Sequence, residues 1–192
     1  MTKQMTPRKT YVSANSLTRD SFRLARKIYD SGWRPDMLIG LWRGGTPIAV
    51  AVHEFLHKMG LTPRHIAMKC SSYDAMTRLD SPVSFEFSDV IIDSIAPGTR
   101  VLLVDDVFDS GRTMEACSSR IRAIPADTRI ATVFWKPEAN LTGIKPDFFI
   151  NETSDWIVFP HELEGLTDEE IRIKDPIVYA LIKGEPEPCF SL

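Results

Sequence analysis

Short, unbroken apolar runs alternate along this chain with stretches in which apolar residues recur every three or four positions. Met37 to Leu41, Val101 to Val104, Ile130 to Phe134 and Asp147 to Ile150 have the length and density of strands buried on both faces, and Ile66 to Cys70 reads as a shorter strand. Phe22, Ala25, Ile28 and Tyr29 lie at helical spacing, with Ser16 or Thr18 placed to cap that helix and Gly32 to end it. A second helix follows Pro47 and runs to about Met59, where Gly60 and Pro63 break the chain, and a third spans Met114 to Ile124. Val83, Phe85 and Phe87 alternate with Ser84, Glu86 and Ser88, the pattern of a hairpin or flap, whereas Ser71 to about Ser81 has no period and reads as loop. Pro97-Gly98 turns the chain into the run at Val101. Thr167 to Lys183 shows acid-then-base helical charge order interrupted by Pro176; residues 1–10 read as a loose arm and 184–192 as a flexible tail.

Strands alternating with helices predict the α/β class, with a mostly parallel central sheet flanked by helices and joined by right-handed crossovers. Loops that carry chemistry then gather at the carboxyl ends of the strands. A length of 192 residues suits a single domain, residues 1–192, with a substantial core. Hydrophobic content of 43% and charged content of 26% are those of a soluble globular protein, and the net charge of −3 argues against a general nucleic-acid binder. No apolar run approaches the roughly 18 residues of a membrane span, and Met1 to Lys9 lacks the apolar centre of a secretory signal. Cys70, Cys117 and Cys189 are odd in number and widely spaced, which predicts no disulfide framework and fits a reducing cytoplasm.

The densest chemistry follows the run at Val101. Asp105 and Asp106 stand at its carboxyl end, Asp109 follows, and Ser110-Gly111-Arg112-Thr113 opens a helix. Backbone N–H groups and hydroxyls at a helix start suit a phosphate, while the acids before it suit neighbouring hydroxyls, a magnesium ion or a developing positive charge. Phosphate, diol and cation side by side describe a phosphorylated ribose. Upstream, Arg43-Gly44-Gly45 follows the strand at Met37 and offers a fixed cation beside backbone that a ligand can approach closely.

The stretch Val101 to Thr113 resembles the phosphoribosyl-pyrophosphate (PRPP) signature of type I phosphoribosyltransferases: an apolar run, Asp-Asp, then Asp-Thr-Gly-x-Thr, with Ser110 in place of the usual Thr. The resemblance covers about residues 36–160 and lies closest to the 6-oxopurine (xanthine-guanine or hypoxanthine) enzymes. It implies Mg²⁺-dependent transfer of a 5-phosphoribosyl group from PRPP to a purine, giving a nucleoside 5′-monophosphate and pyrophosphate. Asp105 and Asp106 are then the acids at the ribose diol or its metal, strand alternation leaving only one in close contact, and Asp109 exchanges a proton near purine N7. Ser110, Gly111, Arg112 and Thr113 cradle the 5′-phosphate. Arg43, Gly44 and Gly45 resemble the family's pyrophosphate loop, where the peptide before the basic residue is often cis, here Trp42–Arg43. Lys69-Cys70-Ser71-Ser72-Tyr73 resembles the flexible loop that closes over the reaction, assigning Lys69, Ser71, Ser72 and Tyr73 to PRPP binding.

On the base side, Lys136 resembles the lysine that donates to O6 of a 6-oxopurine, which an amino base cannot accept. Ser154 to Pro160 resembles a small hood, formed by about residues 140–170 with N-terminal residues, in which Trp156 stacks on the purine and Ile157 meets its 2-position through the backbone. Hypoxanthine, guanine and xanthine remain alternatives, and the family implies a homodimer or homotetramer. Two other readings compete. A non-catalytic relative would sense PRPP or purine and regulate a partner. His53-Glu54-Phe55-Leu56-His57 matches the zinc-hydrolase pattern His-Glu-x-x-His, but Ile48, Val52, Phe55, Leu56 and Met59 form the apolar stripe of that helix and turn both histidines toward solvent.

Overall fold

Backbone order follows the hydrophobic runs closely. A computed structural model describes residues 8–72, 83–86 and 88–188. In chain order the elements are β1 (Lys9–Tyr11), α1 (Ala14–Asp30), β2 (Met37–Trp42), α2 (Gly45–Lys58), β3 (Arg64–Ser72), β4 (Val83–Glu86), α3 (Ser88–Asp93), β5 (Arg100–Phe108), α4 (Arg112–Arg122), β6 (Asp127–Trp135), β7 (Phe148–Glu152), β8 (Trp156–Val158), α5 (Asp168–Lys174) and α6 (Pro176–Lys183). Among the described residues no helix is long and apolar enough to cross a membrane. The chain divides into two units: Asn15–Ser154, and residues up to Ala14 with those from Asp155 onward.

The larger unit holds a six-stranded sheet of order β4-β3-β2-β5-β6-β7, parallel throughout except for β4, which runs antiparallel to the end of β3. Its central strands are apolar on both faces because both are covered. Met37, Ile39, Leu41, Val101 and Leu103 point to one side and pack with Ile91, Met114, Cys117 and Ile121 from α3 and α4. Alternation sends Leu38, Gly40, Leu102 and Val104 to the other side, where α2 lies against β2 and β5. Gly40 sets that spacing: a Cβ there would come within 2.8 Å of the Ala49 Cβ. Asn151 Nδ2 donates to Asp20 Oδ2 at 3.1 Å, and Lys27 Nζ to the Phe149 carbonyl at 2.9 Å, tying α1 to β7. From β2 the chain moves outward to β3, and from β5 it moves the other way to β6 and β7, so the order reverses between β2 and β5. Such a switch point opens a crevice at the strands' carboxyl ends.

In the smaller unit β1 pairs in parallel with β8, setting Lys9 opposite Trp156, Thr10 opposite Ile157 and Tyr11 opposite Val158. Thr10 Oγ1 donates to Asp155 Oδ2 at 2.7 Å, and Lys9 pairs with Glu170. Thr167 and Glu170 close a capping box at the start of α5, and Asp175 ends α5 while its carboxylate accepts from the Ile177 and Val178 N–H groups of α6. Pro176 therefore separates two helices.

Several boundaries differ from expectation. α1 starts at Ala14, so Ser16 and Thr18 lie inside it; its buried stripe is Leu17, Leu24, Ala25 and Ile28, and Phe22 is exposed. Part of the N-terminal arm is strand rather than loose chain, because β8 supplies it with a partner. β3 extends through Ser71 and Ser72, which the aperiodic polar sequence suggested as loop; the antiparallel β4 satisfies their backbone. α3 had no predicted counterpart.

Candidate active site

Four strands end at the crevice. Phe108 lies opposite Trp135 in the β5–β6 register, and the Lys136 N–H donates to the Phe108 carbonyl at 2.9 Å. Asp109 and Lys136 therefore leave neighbouring strands side by side, and Lys136 Nζ reaches Asp109 Oδ2 at 2.8 Å. The lysine is 9% exposed, whereas about half of the Asp109 side-chain surface is open. A buried ammonium is thus neutralised by a carboxylate that still faces outward.

The acid pair straddles the sheet. Asp105 continues the face of Val101 and Leu103, while Asp106 continues that of Leu102 and Val104, toward the loop that begins α2. Asp106 Oδ1 accepts from the Val107 N–H at 2.7 Å, and its Oδ2 lies where a Cβ on Gly44 would be, 1.8 Å away. Gly45 lies equally flat on β5: a Cβ there would sit 2.2 Å from the Val104 carbonyl oxygen. The Arg43-Gly44-Gly45 loop is seated directly on the acid pair because two residues lack side chains. Asp105 Oδ1 accepts the Asp106 N–H at 3.0 Å. Asp105 retains some accessible surface but is closely surrounded by protein; burial, and then the charge of Asp106, push its carboxyl well above the usual carboxylate range.

Two helices open at the crevice without a side-chain cap, α2 from Gly44 and α4 from Gly111. Such openings leave first-turn N–H groups for anions, although in α2 the Thr46 N–H donates to the Arg43 carbonyl at 3.2 Å. Gly111 has φ +80°, and a Cβ there would meet Thr142 Oγ1 at 2.5 Å, Phe108 Cε1 at 2.7 Å and Asn140 Oδ1 at 2.9 Å. The Leu141 N–H donates to the Ser110 carbonyl at 3.0 Å, and Asn140 Oδ1 accepts from the Thr142 N–H and hydroxyl. Sequence reasoning missed this buttress; Asn-x-Thr between strands was its available signal, an Asx-type turn. The Thr46 hydroxyl at the start of α2 is buried without a hydrogen-bond partner among the described residues.

Arg43, Gly44, Gly45, Asp105, Asp106, Asp109, Ser110, Gly111, Arg112, Thr113 and Lys136 thus gather at the carboxyl ends of β2, β5 and β6. The Trp42–Arg43 peptide is cis, and Trp42 lies opposite Lys69 on β3. Lys69, Ser71 and Ser72 belong to β3 rather than to a loop. Tyr73 and the rest of the expected closing loop lie outside the described residues, as do the side chains of Ser71 and Ser72. Trp156 and Ile157 fall in the smaller unit; Trp156 is 51% exposed, and the Ile157 side chain is buried, leaving its backbone for any contact.

The His53 ring lies 6.1 Å from His57 and 4.4 Å from His65 between centroids. Among the described residues no group of three or more His, Cys, Asp or Glu is placed to hold a metal, so the His-Glu-x-x-His pattern gains no third ligand there.

A family model described as the phosphoribosyl transferase domain matches residues 9–166. The xanthine-guanine phosphoribosyltransferase of Desulfotalea psychrophila is 30% identical over 163 residues, covering 82% of this chain and 89% of its own. The hypoxanthine-guanine phosphoribosyltransferase of Lactococcus lactis is 27% identical over 112 residues, 58% of each chain, so the match spans less than two thirds of that relative's length. A solved purine phosphoribosyltransferase from Pyrococcus horikoshii is similar with a TM-score of 0.64 at 27% identity, covering 83% of this chain and 97% of its own.

Proposed function

Because the chain belongs to the phosphoribosyl transferase family, we propose that its crevice transfers the 5-phosphoribosyl group of PRPP to a 6-oxopurine, releasing pyrophosphate and forming a nucleoside 5′-monophosphate. The observation that carries this reading is the Lys136–Asp109 pair at 2.8 Å. It offers a donor next to an acceptor, the complement of a purine edge with O6 beside a protonated N7. An amino group at position 6 would bring donors against the ammonium instead.

The rest of the crevice supports the same substrate pair. α4 and its Ser110–Thr113 start take the 5′-phosphate, and Arg43 with the Gly44-Gly45 backbone takes the pyrophosphate, each at a helix opening that no side chain caps. Asp106 lies against the Arg43-Gly44-Gly45 loop, which suits the ribose diol. As the purine nitrogen bonds to C1 and the C1–oxygen bond to pyrophosphate breaks, positive charge grows on the sugar; the acid pair stabilises it. Asp109 accepts the purine proton, held in place by Lys136.

Mg²⁺ fits this donor set. It takes one or two carboxylates and draws its other ligands from substrate phosphates and water, so an acid pair with no third protein ligand suffices. Of the acid pair, Asp106 faces the Arg43-Gly44-Gly45 loop and is the one that would hold it directly, whereas Asp105 points to the other face of the sheet. When bound, it would neutralise the pyrophosphate and make it a better leaving group.

The test is incubation with PRPP, Mg²⁺ and, in turn, hypoxanthine, guanine, xanthine and adenine. Nucleotide and pyrophosphate should form with at least one oxopurine and not with adenine. PRPP or purine binding with no pyrophosphate release from any base would refute catalysis and leave a sensor.

A further inference from the structure

Nothing in the spacing of Cys70 and Cys117 pairs them, yet the fold brings their Sγ atoms to 3.2 Å, both as free thiols. Cys70 sits near the end of β3 and is half-buried; Cys117 lies on α4 and is 1% exposed. One sulfur can therefore be reached from outside, and the other waits behind it. The two sulfurs share one hydrogen bond, and that bond together with burial pushes the Cys117 thiol up. Their difference in exposure makes Cys70 the attacking sulfur and Cys117 the resolving one. Neither has a role in phosphoribosyl transfer as argued above.

We propose that Cys70 and Cys117 form an oxidation site at which a hydroperoxide converts the pair into an intramolecular disulfide joining β3 to α4. The Cys70 thiolate attacks a peroxide oxygen; the oxygen–oxygen bond breaks, hydroxide leaves and Cys70 becomes a sulfenic acid. Cys117 attacks that sulfur, the sulfur–sulfur bond forms, and the hydroxyl departs as water with the thiol proton. Two electrons pass from the dithiol to the peroxide, and an added dithiol returns them. Closing the bond draws the sulfurs from 3.2 Å to about 2.05 Å. The helix that is pulled carries the Ser110–Thr113 cradle at its start, and the strand carries Lys69 beside Cys70. The disulfide accordingly weakens PRPP use. Only that consequence rests on the proposed function; the chemistry of the pair does not.

The experiment uses the full chain carrying Cys189→Ser, which leaves these two thiols alone. Reduced protein is treated with limiting hydrogen peroxide, alkylated, digested and analysed by mass spectrometry. The expected product is a peptide pair linking Cys70 to Cys117, lighter by two hydrogens than its parts and absent after dithiothreitol. PRPP-dependent turnover should fall as the link accumulates and return on reduction. In Cys117→Ala treated with excess peroxide, Cys70 should proceed to sulfinic acid with no link and no recovery by dithiothreitol. Alkylation of both thiols after peroxide, or a link found only between two chains, overturns the site. A link that leaves turnover unchanged overturns its control of PRPP use. Absence of turnover in the reduced protein counts against the transferase reading alone, because the mass measurement judges the site independently.

Discussion

At the scale of single residues, the site is built from carboxylates whose neighbours assign them different tasks. Asp109 is open to the crevice and anchored to a buried lysine, so it can face a substrate proton without losing its position. Asp109→Asn keeps that shape but removes the proposed base. Turnover should fall by about 10²–10⁴-fold, with the KM for PRPP nearly unchanged; steady-state kinetics with PRPP varied checks this, and equal losses in both would refute the assignment. Gly44 tests a different property. Gly44→Ala places a methyl carbon where Asp106 Oδ2 now lies, so the acid or the loop must move. Pyrophosphate and ribose contacts should suffer together, raising the KM for PRPP at least as much as turnover falls. The identities of Asp109, Lys136 and Gly44 were legible in the sequence, but their contacts were not, because each joins residues brought together only by strand register. The same holds for Cys70 and Cys117.

At the scale of elements, strands buried on both faces were easy to recognise, since uninterrupted apolar runs leave little alternative. Elements that owe their form to a partner were hidden. Ser71 and Ser72 are strand because β4 pairs with them, and Lys9–Tyr11 is strand because β8 does; no local pattern encodes either. The start of α1 was misplaced for a related reason, as its stripe begins with Leu17, outside the positions first assigned to the buried face. α4 depends on a backbone feature that the sequence did mark. Gly111 starts it at φ +80° under the Asn140–Thr142 turn. Gly111→Ala imposes a left-handed conformation costing about 1–2 kcal/mol, to which the crowding against Thr142 and Phe108 adds. Urea unfolding should show a lower midpoint, and PRPP binding should weaken more than purine binding because the displaced segment is the proposed phosphate cradle.

At the scale of the whole molecule, an acidic protein of net charge −3 is proposed to bind a substrate that is itself a polyanion. Global attraction cannot supply that affinity, so it must come from local devices: two uncapped helix openings on either side of the β2–β5 switch point, Arg43, and a cation shared with the acid pair. The openings belong to adjacent strands of one sheet, and a ligand that engages both ties β2 and β5 with their helices into one body. Ligation should therefore register as resistance to unfolding. Mg²⁺ with PRPP at a hundredfold excess over Kd should stabilise the fold by about 2.7 kcal/mol, a rise in Tm of roughly 5–10 °C for a chain of this size. Differential scanning fluorimetry measures it directly. PRPP with a chelator should give a much smaller shift, because the acid pair then meets the pyrophosphate and sugar without a cation between them. A full shift from PRPP in the presence of chelator would remove the metal from the acid pair, and no shift with Mg²⁺ would remove PRPP from the crevice.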